Sequence, residues 1–483
     1  MLDEKNFPFV YPPLAHQMEE FVKHRNTPAR GLLWDPGTGK SKSCIDKMAY
    51  LFMEGRIDTV VVMAKKGEYT NWKNVEIPEH MPPQVGYDCA IYRSGMKEWE
   101  KQLVRNIVKP SGKLRILNIN IESITHEGGQ VLKAFIKSKQ KGLMFVLDES
   151  TAAKSHKSKR AKEVYAMAAH AHYRMIMTGT FATHGPLDVW GQSLVLGKGI
   201  LGTTSFYSFK GEYCIEEQKY FGQRSFKQIT GYQRLDKLNK IIKTFASIKT
   251  REECFDLPPK IYKKVEVEMT DEQQQMYNDM RDMALAEFGD NVVVEATTAL
   301  EVMSKLDQIA CGQLKLEDGT YRILNNNRID YLLSRLEDSA TKGIIWCNYR
   351  GLLSHTFEQI RLNWGVESVG RFHGGVKDDE REDTIAKFQD PESPLRWIVA
   401  NQQSLGYGRT LIIGKENHYT SNSYNLEHRL QSEDRTMRLG QTDSVLYYDY
   451  YCKGTVNEKI YANLRAKKNV MAEILGTTMG SWI

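Results

Sequence analysis

The run Gly37-Thr38-Gly39-Lys40-Ser41 has the residue types and spacing to hold a polyphosphate. Gly37 and Gly39 let backbone N–H groups curl around phosphate oxygens, and the helix that follows adds its positive end. Lys40 would reach the β- and γ-phosphates and Ser41 would hold Mg²⁺. The outer glycine of the full GxxxxGKS pattern is missing, because Trp34 stands there. An ordinary glycine turn is the plain alternative, and the apolar strand before the loop and helix after it argue against that. A second element is Met144–Leu147, four apolar residues that end in Asp148-Glu149. Acids at the carboxyl end of a buried strand stand where α/β sheets bind ligands. Asp148 would hold Mg²⁺ through water and Glu149 would polarise an attacking water. A third element is the run from Gln431 to Gln441. Arg435 and Arg438 are three apart, so they would share one helix face, with Gln431 a turn earlier. The plain reading is a surface helix; the functional one aims two arginines at a transferring phosphate.

These residues need a scaffold, and the sequence describes one. Short apolar runs at Gly31–Trp34, Thr59–Ala64, Arg115–Asn120, Leu143–Leu147 and Arg174–Met177 alternate with helical stretches. They read as buried strands of a parallel sheet. After residue 260 the rhythm restarts at Gly343–Cys347, Trp397–Ala400, Thr410–Ile413 and Val445–Tyr451. Two α/β sheets in series follow, divided near Asp256-Leu257-Pro258-Pro259-Lys260, because paired prolines end a helix and stiffen a connector. The expected domains are 1–255 and 256–483. The stretch at about 197–250 is rich in aromatic and basic residues. It reads as an accessory helix pair or hairpin, with a nucleic-acid contact surface as the sharper reading.

Composition limits the remaining classes. Of 483 residues, 26% are charged and the net charge is +6, which permits a nucleic-acid partner without requiring one. No apolar run approaches the roughly 18–20 residues that span a bilayer. The N-terminus MLDEKNFPFVYPP lacks the pattern of a signal peptide. Seven cysteines stand singly at 44, 89, 214, 254, 311, 347 and 452, with no zinc spacing, which suits reduced thiols in the cytoplasm.

The ordered series of motifs resembles the superfamily-two helicase-like ATPases, and within them the Swi/Snf-type DNA translocases. Pro13-Leu14-Ala15-His16-Gln17 resembles the family's Q motif, which implies that Gln17 reads adenine. The glycine loop resembles motif I, Ala64-Lys65-Lys66 with Asn71-Trp72 motif Ia, and Asp148-Glu149-Ser150-Thr151 motif II. Thr178-Gly179-Thr180 resembles the coupling motif III, and Ile248–Arg251 with Leu257–Lys260 the join between lobes. Phe372-His373-Gly374-Gly375, Gly406-Tyr407-Gly408 and Gln431–Gln441 resemble second-lobe motifs through motif VI.

The resemblance implies an α/β fold of two tandem RecA-like parallel-sheet lobes with an ATP cleft between them. It implies ATP and Mg²⁺ as cofactors, Gly406 and Gly408 at the nucleotide, and Lys65, Trp72, His373 and Gly374 on DNA. The expected partner is double-stranded or branched DNA, and the expected setting is the cytoplasm of a bacterial or phage-infected cell. Thr151 departs from the family's histidine, and Arg409-Thr410 from its motif V. The leading expectation is an ATP-dependent motor on duplex DNA. A strand-separating helicase and a non-hydrolysing DNA-binding scaffold are its rivals.

Overall fold

The computed structural model describes residues 3–65, 68–221, 224–288, 296–405 and 411–477. They form two compact units. The first holds the chain up to Ile215, with Gly231–Asp256 and Val470–Thr477; the second holds Glu216–Thr230 and Leu257–Asn469.

In chain order the first strands are β1 (Ala29–Trp34), β2 (Thr59–Ala64), β3 (Tyr87–Tyr92), β4 (Leu114–Asn120), β5 (Leu143–Asp148) and β6 (Tyr173–Met177). A ribbon of β7 (Cys214–Phe221) and β8 (Arg224–Tyr232) follows, then β9 (Ala246–Lys249). The seven-stranded sheet has the order β3-β4-β2-β5-β6-β1-β9 and is parallel at every pairing. Its central strands are buried on both faces, as in parallel sheets, while the edge strands β3 and β9 are largely part-buried. Val61, Leu117, Phe145 and Ile176 pack into one layer, while Val60, Val62, Ile116 and Val146 pack into the other. Each such side chain contributes about 1.5–3 kcal/mol by leaving water.

The second unit continues with β10 (Lys260–Glu266), a small antiparallel pair β11 (Gln313–Lys315) and β12 (Tyr321–Ile323), and β13 (Lys342–Trp346). Then come β14 (Val369–Phe372), β15 (Trp397–Ala400), β16 (Gly414–Tyr419) and β17 (Val445–Tyr451). Its parallel sheet has the order β10-β17-β16-β13-β15-β14. The expected strand Thr410–Ile413 is corrected: Leu411–Ile413 is a turn, Thr410 lies outside the described residues, and the strand begins at Gly414. The segment expected as accessory contains the helices Phe206–Tyr213 and Leu235–Phe245, the ribbon and β9. All seven cysteines are free, five of them buried, with Cys89 and Cys254 partly exposed. No helix among the described residues is long and apolar enough to cross a membrane.

Candidate active site

Strand order explains why distant motifs meet. β6 lies between β1 and β5, with Leu32 opposite Met177 and Met177 opposite Asp148. The segments leaving these three strands therefore emerge side by side at their carboxyl ends. They carry the glycine loop, Asp148-Glu149 and Thr178-Gly179-Thr180.

The loop turns on two left-handed glycines, Gly37 at φ 82° and Gly39 at φ 80°. Gly39 caps the helix Lys40–Met53, whose positive end faces the loop and favours an anion there. Lys40 Nζ donates to the carbonyls of Trp34 (2.8 Å) and Asp35 (3.1 Å). Thr38 is buried and its hydroxyl donates to Asp35 O at 2.7 Å. From below, Gln17 Nε2 donates to Gly39 O at 3.2 Å, while Gln17 Oε1 accepts from Leu14 N at 2.9 Å. His16 Nε2 lies 2.8 Å from Thr38 O; a carbonyl only accepts, so that nitrogen carries the proton. Arg251 closes the other side. Its backbone N–H donates to Asp35 Oδ2 (2.9 Å) and its guanidinium to Pro36 O (2.9 Å).

The acidic pair is held as tightly. Asp148 Oδ2 accepts from Trp72 Nε1 at 2.8 Å, and Oδ1 from Glu149 N at 3.0 Å. Burial pushes the Asp148 carboxyl up, and Glu68 adds to that, against the Trp72 hydrogen bond and Lys40. Glu76 closes the π-helical turn Trp72–Glu76 and is pushed up by burial and by Asp148; hydrogen bonds from Ser41 and Asn71 oppose this. Glu149 has φ 49° and ψ 62°. Left-handed backbone at a non-glycine residue costs of order 1–3 kcal/mol and clusters at active sites. Its Oε2 accepts from Thr178 Oγ1 at 3.3 Å, and Thr178 Oγ1 in turn accepts from Thr180 N at 3.1 Å. Gly179 lies where a Cβ would stand 2.8 Å from Pro36 Cδ, so the third motif touches the first. Ser150 joins the second motif to the helix Pro186–Ser193, which follows the third. Its hydroxyl donates to Gln192 Oε1 (2.7 Å), and Gln192 Nε2 donates to Phe181 O (2.6 Å) and Asp188 O (2.9 Å).

The expectation that Trp72 meets DNA is corrected. Its side chain is only 1% exposed, packed in the core, with its one polar atom on Asp148. Lys65 follows β2, half-buried at the carboxyl edge of the sheet. Glu76, Gln192 and the loop grip of Gln17 were missed. The first two lack any local pattern, and only the strand order brings them to the site.

The other expected residues lie in the second unit. The helix expected under Arg435 and Arg438 is also corrected: it spans Leu426–Glu433, and both arginines lie on the turns after it. Arg435 is 3% exposed, with Nε on Gln431 O (2.9 Å); Arg438 is half-buried, with Nε on Asp434 O (3.0 Å). Gln431 is buried, and its Oε1 has no hydrogen-bond partner among the described residues. Beneath them sits an ionic network. Arg429 donates to Glu433 Oε1 (2.8 Å) and Asp449 Oδ2 (2.9 Å), and its guanidinium stacks on Tyr419 at 3.5 Å. Glu433 Oε2 accepts from Tyr262 OH (2.7 Å) and Lys260 Nζ (3.2 Å). Burial raises the Glu433 carboxyl, but Lys260 and Arg429 prevail and bring it down to about 2.

His373 follows β14, and its Nδ1 accepts from Gly375 N at 3.0 Å. Burial pushes its imidazole down, helped by Arg350, Arg371 and Arg381. With exposed Gly374 it lines a cavity of about 220 Å³ that also takes Asn348, Arg350, Asn401 and Ser404 from the ends of β13 and β15. Gly406 and Gly408 lie outside the described residues.

A glycine loop between strand and helix, beside an acidic pair on a neighbouring strand, defines a P-loop α/β nucleotide-binding unit. The SNF2-related domain matches residues 17–314, and the chain belongs to that family. It is 24% identical over 340 residues to the mouse (Mus musculus) DNA annealing helicase and endonuclease ZRANB3, covering 69% of this chain and 30% of that protein. It is 25% identical over 381 residues to the TATA-binding protein-associated factor MOT1 of Saccharomyces cerevisiae, covering 68% of this chain and 20% of that one. The chain thus spans less than a third of either relative. A solved SWI2/SNF2 ATPase core of Sulfolobus solfataricus, in complex with dsDNA, covers 97% of this chain and 94% of its own at 21% identity, with a TM-score of 0.42.

Proposed function

We propose that the chain is a DNA-dependent ATPase that uses hydrolysis to move on or remodel double-stranded DNA. The observation that supports this most is the convergence of Lys40, Asp148-Glu149 and Thr178 at the ends of three adjacent strands. In this reading the N–H groups of Gly37–Ser41 cradle the phosphates, and Lys40 exchanges the Trp34 and Asp35 carbonyls for β- and γ-phosphate oxygens. Gln17 braces the loop and reads adenine. Glu149 orients the attacking water, and Thr178-Gly179-Thr180 carry its state to the loop. Arg435 and Arg438 stabilise charge on the transferring phosphoryl group, with Gln431 Oε1 as an acceptor beside them.

The Ser41 hydroxyl and the Asp148 carboxylate suit Mg²⁺, a hard cation that keeps several waters. Burial raises the Asp148 and Glu76 carboxyls, with a neighbouring acid adding to each, and a cation bound there would favour their ionised forms. Bound there, Mg²⁺ would supply charge neutralisation on the phosphates. His373, Gly374 and Lys65 contact the DNA backbone, a sequence-independent and salt-sensitive grip. Seven free cysteines suit a reducing cytoplasm.

Two measurements test this. ATP hydrolysis should rise more with duplex DNA than with single-stranded RNA; equal or greater activation by RNA overturns the DNA assignment. No hydrolysis on any nucleic acid leaves the scaffold reading in its place.

A further inference from the structure

Among the described residues the ribbon of β7 and β8 pairs with no third strand. Its root is fastened. Tyr213 and Cys214 are buried, Tyr232 OH donates to His184 O at 3.0 Å, and Gln233 N donates to Tyr213 O at 3.1 Å. His184 N in turn donates to Asp188 Oδ2 at 2.9 Å, which ties the root to the helix Pro186–Ser193. Beyond the root the ribbon leaves large aromatic surface in water: Tyr220 is 77% exposed and Phe226 51%. A lone two-stranded ribbon is marginally stable at best, and aromatic groups left exposed on it add nothing to a core. Charge is also unevenly placed. Residues 219–227 read Lys-Tyr-Phe-Gly-Gln-Arg-Ser-Phe-Lys, with three basic and three aromatic residues and no acid; of the acids nearer the root, Glu217 pairs with Lys219 at 2.9 Å, which leaves Arg224 and Lys227 as the basic residues of the second strand.

We propose that this ribbon is a stacking platform for unpaired DNA bases, which engages the point where a duplex opens into single strands. The inference rests on DNA being the partner of the proposed ATPase. Aromatic faces accept any base, and interleaved Lys and Arg follow the phosphates, the combination that binds single strands without regard to sequence. A protein-docking face fits less well, because the centres of such interfaces are depleted in Lys. A blunt duplex offers no unstacked base, so the ribbon adds nothing there. It gives the protein a preference for forked or branched DNA over duplex of equal length.

The test uses the full chain and the double variant Tyr220→Ala/Phe226→Ala. Both residues are exposed, so the thermal midpoint should not move. Binding is read by fluorescence anisotropy on a fork with single-stranded arms and on a blunt duplex, with 2-aminopurine at the fork junction. A stacked base is worth roughly five- to a hundredfold in affinity. The variant should lose at least tenfold on the fork and its 2-aminopurine quenching, with blunt-duplex affinity and duplex-stimulated hydrolysis within about twofold of the parent. Tyr220→Trp/Phe226→Trp should restore both. An unchanged fork-to-duplex ratio overturns the proposal. Equal loss on both DNAs also overturns it, since that marks phosphate contact alone. Loss of self-association with DNA binding intact would assign the ribbon to a protein partner instead. If the parent binds forks but hydrolyses no ATP, the ATPase reading fails while the ribbon is still tested.

Discussion

Trp72 Nε1 donates to Asp148 Oδ2 at 2.8 Å, linking residues 76 apart in sequence. The indole fixes the rotation of the carboxylate that is proposed to face Mg²⁺. Hydrogen bonds to charged groups are worth about 1.5–3 kcal/mol. Trp72→Phe keeps the ring in the core and removes only the donor. It should raise the Mg²⁺ concentration needed for half-maximal hydrolysis, or lower turnover, by roughly ten- to a hundredfold. A Mg²⁺ titration of the ATPase rate checks this, and an unchanged profile would remove Trp72 from the site.

Lys40→Ala and Arg438→Ala should fail differently. The first strips the charge at the phosphate loop, so both nucleotide binding and turnover should fall. The second leaves the loop intact, and a bound ATP analogue should stay within about tenfold, or 1.4 kcal/mol. Its hydrolysis should drop by roughly 10³–10⁵, as for other arginine fingers. Arg435 is more deeply buried than Arg438, so Arg435→Ala should add a lower thermal midpoint to the lost turnover. Calorimetric nucleotide titrations beside steady-state rates separate the three variants.

Gly179→Ala tests the contact between the first and third motifs. The new methyl would sit 2.8 Å from Pro36 Cδ and 3.3 Å from Trp34 O. Neither is the end of a flexible chain, so the loop must shift. Overpacking of this kind costs about 1–3 kcal/mol, and ATP affinity should fall by at least tenfold. Normal affinity with normal hydrolysis would show that the loop tolerates the shift.

Glu433 predicts an acid limb to stability. Its folded carboxyl lies at about 2, below its ordinary value of 4.5. A depressed carboxylate stabilises the fold above the unfolded value, and that contribution is lost as pH falls from about 4.5 toward 2. Glu433→Gln should flatten this part of the pH–stability curve. At neutral pH it should cost about 3–5 kcal/mol, because Arg429 keeps its burial and loses one partner. Thermal melts from pH 2 to 7 on both proteins provide the comparison.

The central strands β1, β2, β4, β5, β6, β13, β15 and β17 were legible because both faces are buried and their residues are almost all apolar. The edge strands β3, β9, β10 and β14 were not, since an edge strand is covered on fewer sides. β10 reads Lys-Ile-Tyr-Lys-Lys-Val-Glu, with only Tyr262 and Val265 fully buried. β16 is central yet was missed because it buries polar groups. Asn417 accepts from Trp346 Nε1 at 3.0 Å, and His418 stacks on Tyr448 at 4.8 Å. No local pattern announces partners that far away in sequence. At the site, Gly37–Ser41, Asp148-Glu149 and Thr178–Thr180 were legible as compact motifs. Trp72 was misplaced because sequence shows an aromatic beside basic residues and cannot show what covers it.

The scattered thiols turn the fold into its own clock. Burial pushes the Cys347 thiol up to about 11, and Cys44 still higher. At neutral pH both are protonated and shielded, so an alkylating reagent reaches them only when the surrounding structure opens. Cys44 lies on the helix that begins at Lys40, while Cys347 follows β13 in the other unit. Pulsed alkylation read by mass spectrometry would therefore time the opening of each unit separately. Added nucleotide should slow the modification of Cys44 while leaving the rate at Cys347 as a reference.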